Sequence, residues 1–259
     1  MLNLKCAKYE LHEDGIGFIN LNNSPVNALS KQFVSDLASI IDHIENDNKC
    51  RLIIFRSLQK HFSAGADLKE RKNMTSDQTI TFIKEVNSVF DRIENLSIPT
   101  IASINGAALG GGLELALCCD LRIASENSYV GLPETSLGII PGAGGLYRLA
   151  KLIGLPKSKY WIFTAQKFNT ESAYGDGVID FMSKEEELLG VTLEISQEIL
   201  ENAPLAIKAS KTLFNEIFKD PNDLRELQNK AYSSVIDTED KKEAIKAFLS
   251  KRKPSWKGK

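Results

Sequence analysis

No apolar run in the chain approaches the ~20 residues needed to span a bilayer, so no membrane partner is expected. The opening residues MLNLKCAKYELHEDG lack a basic stretch followed by an apolar one, which argues against a secretory signal. Cysteine is scarce. Cys6, Cys50, Cys118 and Cys119 show no C-x-x-C spacing and read as reduced core residues of a cytoplasmic protein, not as a disulfide framework. His12, His43 and His61 are scattered, so no metal site is expected. Net charge is −2, which leaves no excess to attract nucleic acid or an anionic surface. Three familiar signatures are missing as well. No Lys-Ser/Thr follows a glycine turn as in a P-loop, no dinucleotide G-x-G-x-x-G is present, and no serine occupies a G-x-S-x-G elbow.

Glycine, by contrast, is concentrated. Residues 105–149 hold nine of the 17 glycines. Within them Gly110 to Gly112 opens the apolar run LELALCC, which has the composition of a buried helix. A helix start carries unpaired N–H groups and partial positive charge, and glycine lets another group approach them. Glu114 falls in this apolar run, where a carboxylate is costly to bury, and Glu134 follows a proline in GLPET. Each could be bland, one a satisfied structural carboxylate and the other a surface turn residue. Together with the glycine turns they point to a pocket in which two acids divide acid and base work.

Along the chain, residues 3–11 and 15–21 read as strands around the turn HEDG, a hairpin. Ser30 caps a helix expected over 31–45, and LIIFRS is a short buried strand. The glycine-centred SAGAD follows that strand. An amphipathic helix is expected over 77–95, with Ile80, Ile83, Val86, Phe90 and Ile93 on its buried side. IPTIASI and LRIAS are further strands, and PGAGG turns into a helix near Leu146. The unit strand, glycine turn, helix therefore recurs, with SAGAD, ALGGG and PGAGG as its turns. Recurrence of this kind suggests a spiral of ββα units sharing one site, with a doubly wound sheet as the alternative. From Glu185 the pattern is helical, broken at Ala203-Pro204, with more helices from about Asp223 and after Thr238. A boundary near 190 divides the chain into an α/β body, 1–190, and a helical end, 191–259, suited to packing on another subunit.

FSAGADLKE, NGAALGGGLELALCCDLRIAS and GLPETSLGIIPGAGG, in that order and spacing, resemble the enoyl-CoA hydratase (crotonase) family. The likeness runs through APLAIKASK to the ending AFLSKRKPSWKGK. It implies an α/β, crotonase-type spiral of ββα units with a C-terminal helical trimerisation domain, assembled as a homotrimer or homohexamer. It further implies an oxyanion hole from the backbone N–H groups of Ala66 and Gly111, with Glu114 activating a water and Glu134 exchanging a proton with the α-carbon. Gly142 matches a glycine whose N–H helps hold that water. Acyl-CoA is the implied partner, coenzyme A being part of the substrate, and no further cofactor is expected. Ser24, Val26 and Ala28 resemble the adenine-side loop. Ala64, Asp67, Leu68 and Lys69 would flank the pantetheine, while Phe248 and Lys251 would reach a neighbouring subunit's nucleotide.

Keeping both glutamates favours hydration of a trans-2-enoyl-CoA. The alternatives are a double-bond isomerase or a non-catalytic acyl-CoA- or RNA-binding member. DLKERKNM and GGGLELAL look most like the methylglutaconyl-CoA hydratase branch, whose substrate carries an extra carboxylate, so Lys69 or Arg71 would matter if the acyl group is anionic. RNA binding is disfavoured, because SKQFVSDLASIIDHIEND has one lysine and four acids. Where relatives commonly have Thr-Gln-Arg-Leu, this chain has Leu146-Tyr147-Arg148-Leu149, a change that either reshapes the acyl end or repacks the helix.

Overall fold

Period-two alternation in LIIFRS sends Leu52 and Ile54 to one face of a sheet and Ile53 and Phe55 to the other, and both sets are fully buried. The arrangement around that strand is taken from a computed structural model, which describes residues 1–216, 234 and 238–259. The hairpin forms as expected. β1 (Leu2–Asn3), β2 (Ala7–Leu11) and β3 (Ile16–Leu21) are antiparallel, with Leu11 opposite Gly17 beside the turn. α1 (Lys31–Glu45) starts where Ser30 accepts from the Phe33 N–H, and it buries Phe33, Leu37, Ile40, Ile41 and Ile44. β4 (Leu52–Ser57) then pairs parallel to β3.

After the short α2 (Leu68–Arg71) comes α3 (Ser76–Glu94), opened by a reciprocal capping box between Thr75 and Gln78. Its buried stripe is Phe82, Val86, Val89, Phe90 and Ile93, whereas the expected Ile80 is 55% exposed. Ile80 precedes Phe82 by two residues, which turns it roughly 200° around a helix of 3.6 residues per turn. β5 (Thr100–Ile104), β6 (Ala107–Leu109) and α4 (Gly111–Ala116) follow. α4 is shorter than LELALCC suggested, because Cys118 and Cys119 close a tighter turn and the Asp120 N–H bonds back to the Thr100 carbonyl at 2.9 Å. That turn starts β7 (Leu121–Ser125), which leads through β8 (Tyr129–Gly131) and a 3-10 turn at Pro133–Leu137 to α5 (Gly145–Thr164), kinked at Gly154. β9 (Phe168–Asn169), α6 (Thr170–Asp176), β10 (Phe181–Ser183), α7 (Leu188–Leu200), α8 (Pro204–Glu216) and a helix at Glu239–Leu249 complete the described chain. The helix expected from Asp223 lies outside the described residues.

The main sheet has seven strands in the order β1-β2-β3-β4-β5-β7-β10, parallel from β3 onward. One face, with α1 and α3, forms the larger core around Phe33, Phe55, Phe62 and Phe90. On the other face Leu188 and Leu200 of α7 pack with Ile16, Phe18, Leu52, Ile54, Ile101 and Ile123. Residue 190 falls inside α7. A second sheet, β6-β8-β9, is extended by single bridges between Ser63 and Ala108 and between Leu29 and Ala66. This smaller sheet positions the site.

Candidate active site

All the parallel strands end on one side, and the connections after β4, β6 and β8 meet there, as ligand-binding loops do in open α/β sheets. The first is SAGAD. Ala64 N–H donates to the Val26 carbonyl at 2.9 Å, Leu29 N–H to the Gly65 carbonyl at 2.8 Å and Asp67 N–H to the Leu29 carbonyl at 3.4 Å. Gly65 has φ +86°, and a Cβ there would sit 2.6 Å from the Leu109 carbonyl oxygen and 3.2 Å from the Gly111 nitrogen. Only glycine lets these two turns close on each other. Among the described residues, the N–H groups of Ala66 and Gly111 have no hydrogen-bond partner, and both residues are half-buried. Two free donors thus lie on adjoining turns, one of them at the start of α4.

The two glutamates converge on the same turns. Glu114 is 3% exposed, and its Oε1 accepts from the N–H groups of Ala143 and Gly145, each at 2.8 Å. Burial raises its pKa, opposed by those two hydrogen bonds and by the charges of Arg148 and Arg71. Glu134 lies in the 3-10 turn after β8, 9% exposed, and a Cβ on Gly110 would come 2.8 Å from its Oε1. Its Oε2 is buried with no partner among the described residues. Burial first, and the Glu114 charge second, push its pKa up to about 7. Two acids in one dry place therefore differ in kind. One is anchored by backbone donors, and the other has an open oxygen and titrates near neutrality.

The remaining expected positions divide. Gly142 is at the site, but Ala143 and Gly145 bond Glu114, while the Gly142 carbonyl accepts from Asn87 Nδ2 at 2.8 Å. Val26 and Ala28 are half-buried against SAGAD, and Ser24 at the loop's outer end is exposed. Ala64, Leu68 and Lys69 are exposed along its rim. Asp67 caps α2, its Oδ1 accepting from Lys69 and Glu70 N–H at 3.0 Å. Lys251 is exposed with φ +52°, and among the described residues no hydrogen bond or ion pair joins it to this cluster. Phe248 lies on the Glu239–Leu249 helix, its side chain outside the described residues.

Residues the motifs did not single out complete the support. Asn27, fully buried with φ +50°, donates from Nδ2 to Ser57 Oγ and to the His61 and Phe62 carbonyls, tying the Ser24–Ala28 loop to the end of β4. Buried Arg148 bonds Asp91 at 2.7 Å, Glu94 at 2.8 Å and the Ala143 carbonyl at 2.8 Å, so it fixes the turn that holds Glu114. An arginine directly after an apolar-aromatic pair carries no local signal of this. Leu146 and Tyr147 are partly exposed, and Tyr147 Oη donates to Asp91 Oδ1 at 3.3 Å.

The family profile described as Enoyl-CoA hydratase/isomerase matches residues 12–259. A probable enoyl-CoA hydratase 2, mitochondrial, from Arabidopsis thaliana is 43% identical over 95% of this chain and 83% of its own length. A short-chain-enoyl-CoA hydratase from Clostridium acetobutylicum is 38% identical over 93% of this chain and 94% of its own. A mouse mitochondrial methylglutaconyl-CoA hydratase is 37% identical over 98% of this chain and 83% of its own. The crystal structure of an enoyl-CoA hydratase from Bacillus anthracis superposes with a TM-score of 0.95 at 35% identity, covering 98% of this chain and all of that one. With its fold, its paired glutamates and its two adjoining turns in place, this chain belongs to the enoyl-CoA hydratase/isomerase family.

Proposed function

We propose that the chain is an enoyl-CoA hydratase, adding water across the 2,3 double bond of a trans-2-enoyl-CoA to give the 3-hydroxyacyl-CoA, reversibly. The observation that carries this is two acids of unequal character facing two free backbone donors. The thioester oxygen accepts from the Ala66 and Gly111 N–H groups. Water oxygen forms a bond to C3 while its proton passes to the Glu114 carboxylate, and the C2=C3 π electrons move onto the thioester oxygen as an enolate. The enolate collapses as C2 takes the proton of neutral Glu134. Glu114 is left protonated and Glu134 charged, and exchange with the next water restores the pair. Preorganised donors at the oxyanion are worth roughly 3–4 kcal/mol each. No metal or redox group enters this chemistry. The test is loss of the conjugated-enoyl absorbance of crotonyl-CoA on adding enzyme. Full rates from both Glu114→Gln and Glu134→Gln on every enoyl-CoA tried would overturn the assignment.

The same proposal extends to substrate binding. The pantetheine runs along Ala64, Ala66, Asp67, Leu68 and Lys69, with the adenine near Ser24, Val26 and Ala28. Lys251 and Phe248 reach the nucleotide of a neighbouring subunit in a homotrimer or homohexamer, with residues 191–259 contributing to its assembly. What supports this is the exposed position of Lys251, whose ammonium makes no hydrogen bond or ion pair among the described residues. A cytoplasmic location is proposed on the four free, buried cysteines.

A further inference from the structure

Two N–H groups hold Glu114 Oε1, and the peptide units that carry them are fixed by different parts of the molecule. The Gly145 N–H belongs to the peptide of the Gly144 carbonyl, which accepts from the Arg148 N–H at 3.0 Å and is therefore set by the first turn of α5. The Ala143 N–H belongs to the peptide of the Gly142 carbonyl, and that oxygen lies before the helix begins. Among the described residues its one donor is Asn87 Nδ2, at 2.8 Å. Arg148 does not duplicate this hold, because its Nη1 bonds the Ala143 carbonyl, whose peptide partner is the Gly144 N–H.

Asn87 reaches that carbonyl because α3 packs closely on the turn. Ile83 and Asn87 are four residues apart and share one face of the helix. A Cβ on Gly142 would sit 3.2 Å from Ile83 Cδ1, so the bare glycine gives the helix room to approach. The same amide nitrogen also donates to the Ile83 carbonyl at 2.9 Å. Both neighbours are carbonyl oxygens, which sets the amide with its nitrogen toward Gly142. A planar peptide carries its acceptor on one side and its donor on the other. A bond that pins the Gly142 oxygen therefore aims the Ala143 hydrogen at Glu114, and the two bonds polarise each other in series. The sequence PGAGG places glycine on both sides of Ala143 and offers little steric resistance to a peptide flip, so the turn needs such a pin. Arg148, Arg71 and Glu134 act on Glu114 through their charges, and none of them bonds its carboxylate among the described residues.

We infer that Asn87 is a positioning residue for Glu114: through the Gly142–Ala143 peptide it fixes the plane in which the carboxylate takes the proton of water, a role that rests on the hydratase function proposed above. Asn87→Leu keeps the size of the side chain and removes the donor. With crotonyl-CoA it should lower kcat by roughly ten- to hundredfold and leave KM within about threefold of wild type, since the thioester contacts are untouched. Asn87→Ser keeps a hydroxyl for the Ile83 carbonyl of its own helix but ends one bond short of Gly142, and it should show the same loss. In a Glu114→Gln background either change should cost less than about threefold more, because both act through one carboxylate. Infrared titration, with the Glu114 carboxyl assigned by difference from Glu114→Gln, should show its pKa raised by roughly one pH unit in Asn87→Leu, as a donor to the charged form is lost. That titration needs no turnover. A wild type that hydrates no enoyl-CoA, with the Glu114 pKa still raised by Asn87→Leu, would sink the hydratase function and leave the Asn87 hold standing. An unchanged kcat with an unmoved Glu114 pKa in folded Asn87→Leu and Asn87→Ser would overturn the role. So would losses that multiply in full with that of Glu114→Gln.

Discussion

At the scale of single residues, the unequal environments of Glu114 and Glu134 set the pH behaviour. The reaction needs one proton on the pair in either direction, so kcat/KM should be bell-shaped, with the alkaline limb at about 7 where Glu134 loses its proton. Glu134→Gln should cost about 10²–10⁴ in rate, as removal of a positioned acid usually does. The same change should stabilise the fold at alkaline pH. The Glu134 pKa is raised from 4.5 to about 7 on folding, so the native state holds the extra proton between those values and stability falls as pH rises through that window. Chemical denaturation at pH 8 should show Glu134→Gln more stable than wild type by about 1–3 kcal/mol, and the difference should vanish near pH 4. No gain at pH 8 would mean that Glu134 is not desolvated in the native protein. Gly65→Ala should cost both properties at once. Its φ of +86° and the Leu109 carbonyl 2.6 Å from the new methyl force the turn apart. A kcat loss on the order of 10²–10³ is expected from a displaced donor, with on the order of 1–3 kcal/mol of strain.

Among the elements, the turn between the 3-10 segment and α5 is held to α3 by Asn87, which donates to the Gly142 carbonyl, and by Arg148. Arg148→Met leaves Asp91 and Glu94 without their cation and frees the Ala143 carbonyl, beside an N–H that Glu114 needs. Removing one partner of a buried pair costs about 3–5 kcal/mol. With Asp91 half-exposed the expectation here is lower, on the order of 2–3 kcal/mol by denaturant titration. Rates should fall together for every enoyl-CoA. α1 is a contrast, because its whole design is local. Ser30 supplies the cap and the apolar stripe supplies the burial, so its limits at Lys31 and Glu45 followed from residues in sequence order. For α3 the period was equally legible, but choosing between Ile80 and Phe82 required knowing which side met the sheet.

For the molecule as a whole, the C-terminal segment separates two kinds of contact. α7 is committed to the sheet of its own chain through Leu188 and Leu200, on the face opposite α1 and α3. Lys251, beyond the last helix, is exposed, and no hydrogen bond or ion pair joins it to its own Ser24–Ala28 loop among the described residues. Lys251→Ala should therefore raise KM for every acyl-CoA, by about tenfold for a lost phosphate charge, with kcat near wild type. Sedimentation should give a trimer or a multiple of it. A fully active monomer would overturn the shared nucleotide site.

Taken alone, the order of residues determined the things that depend on near neighbours: the β2–β3 hairpin, the α1 cap, the glycine turns, and the oddity of an acid in an apolar helix. It also placed Glu114, Glu134, Ala66 and Gly111 by their motifs. The fold decided what depends on pairs far apart in the chain. Ala143 and Gly145 hold Glu114. Arg148 is spent on structure. Hydrogen-bond partners and desolvation are properties of a surrounding, and a surrounding exists only once the sheet has brought the ends of β4, β6 and β8 together.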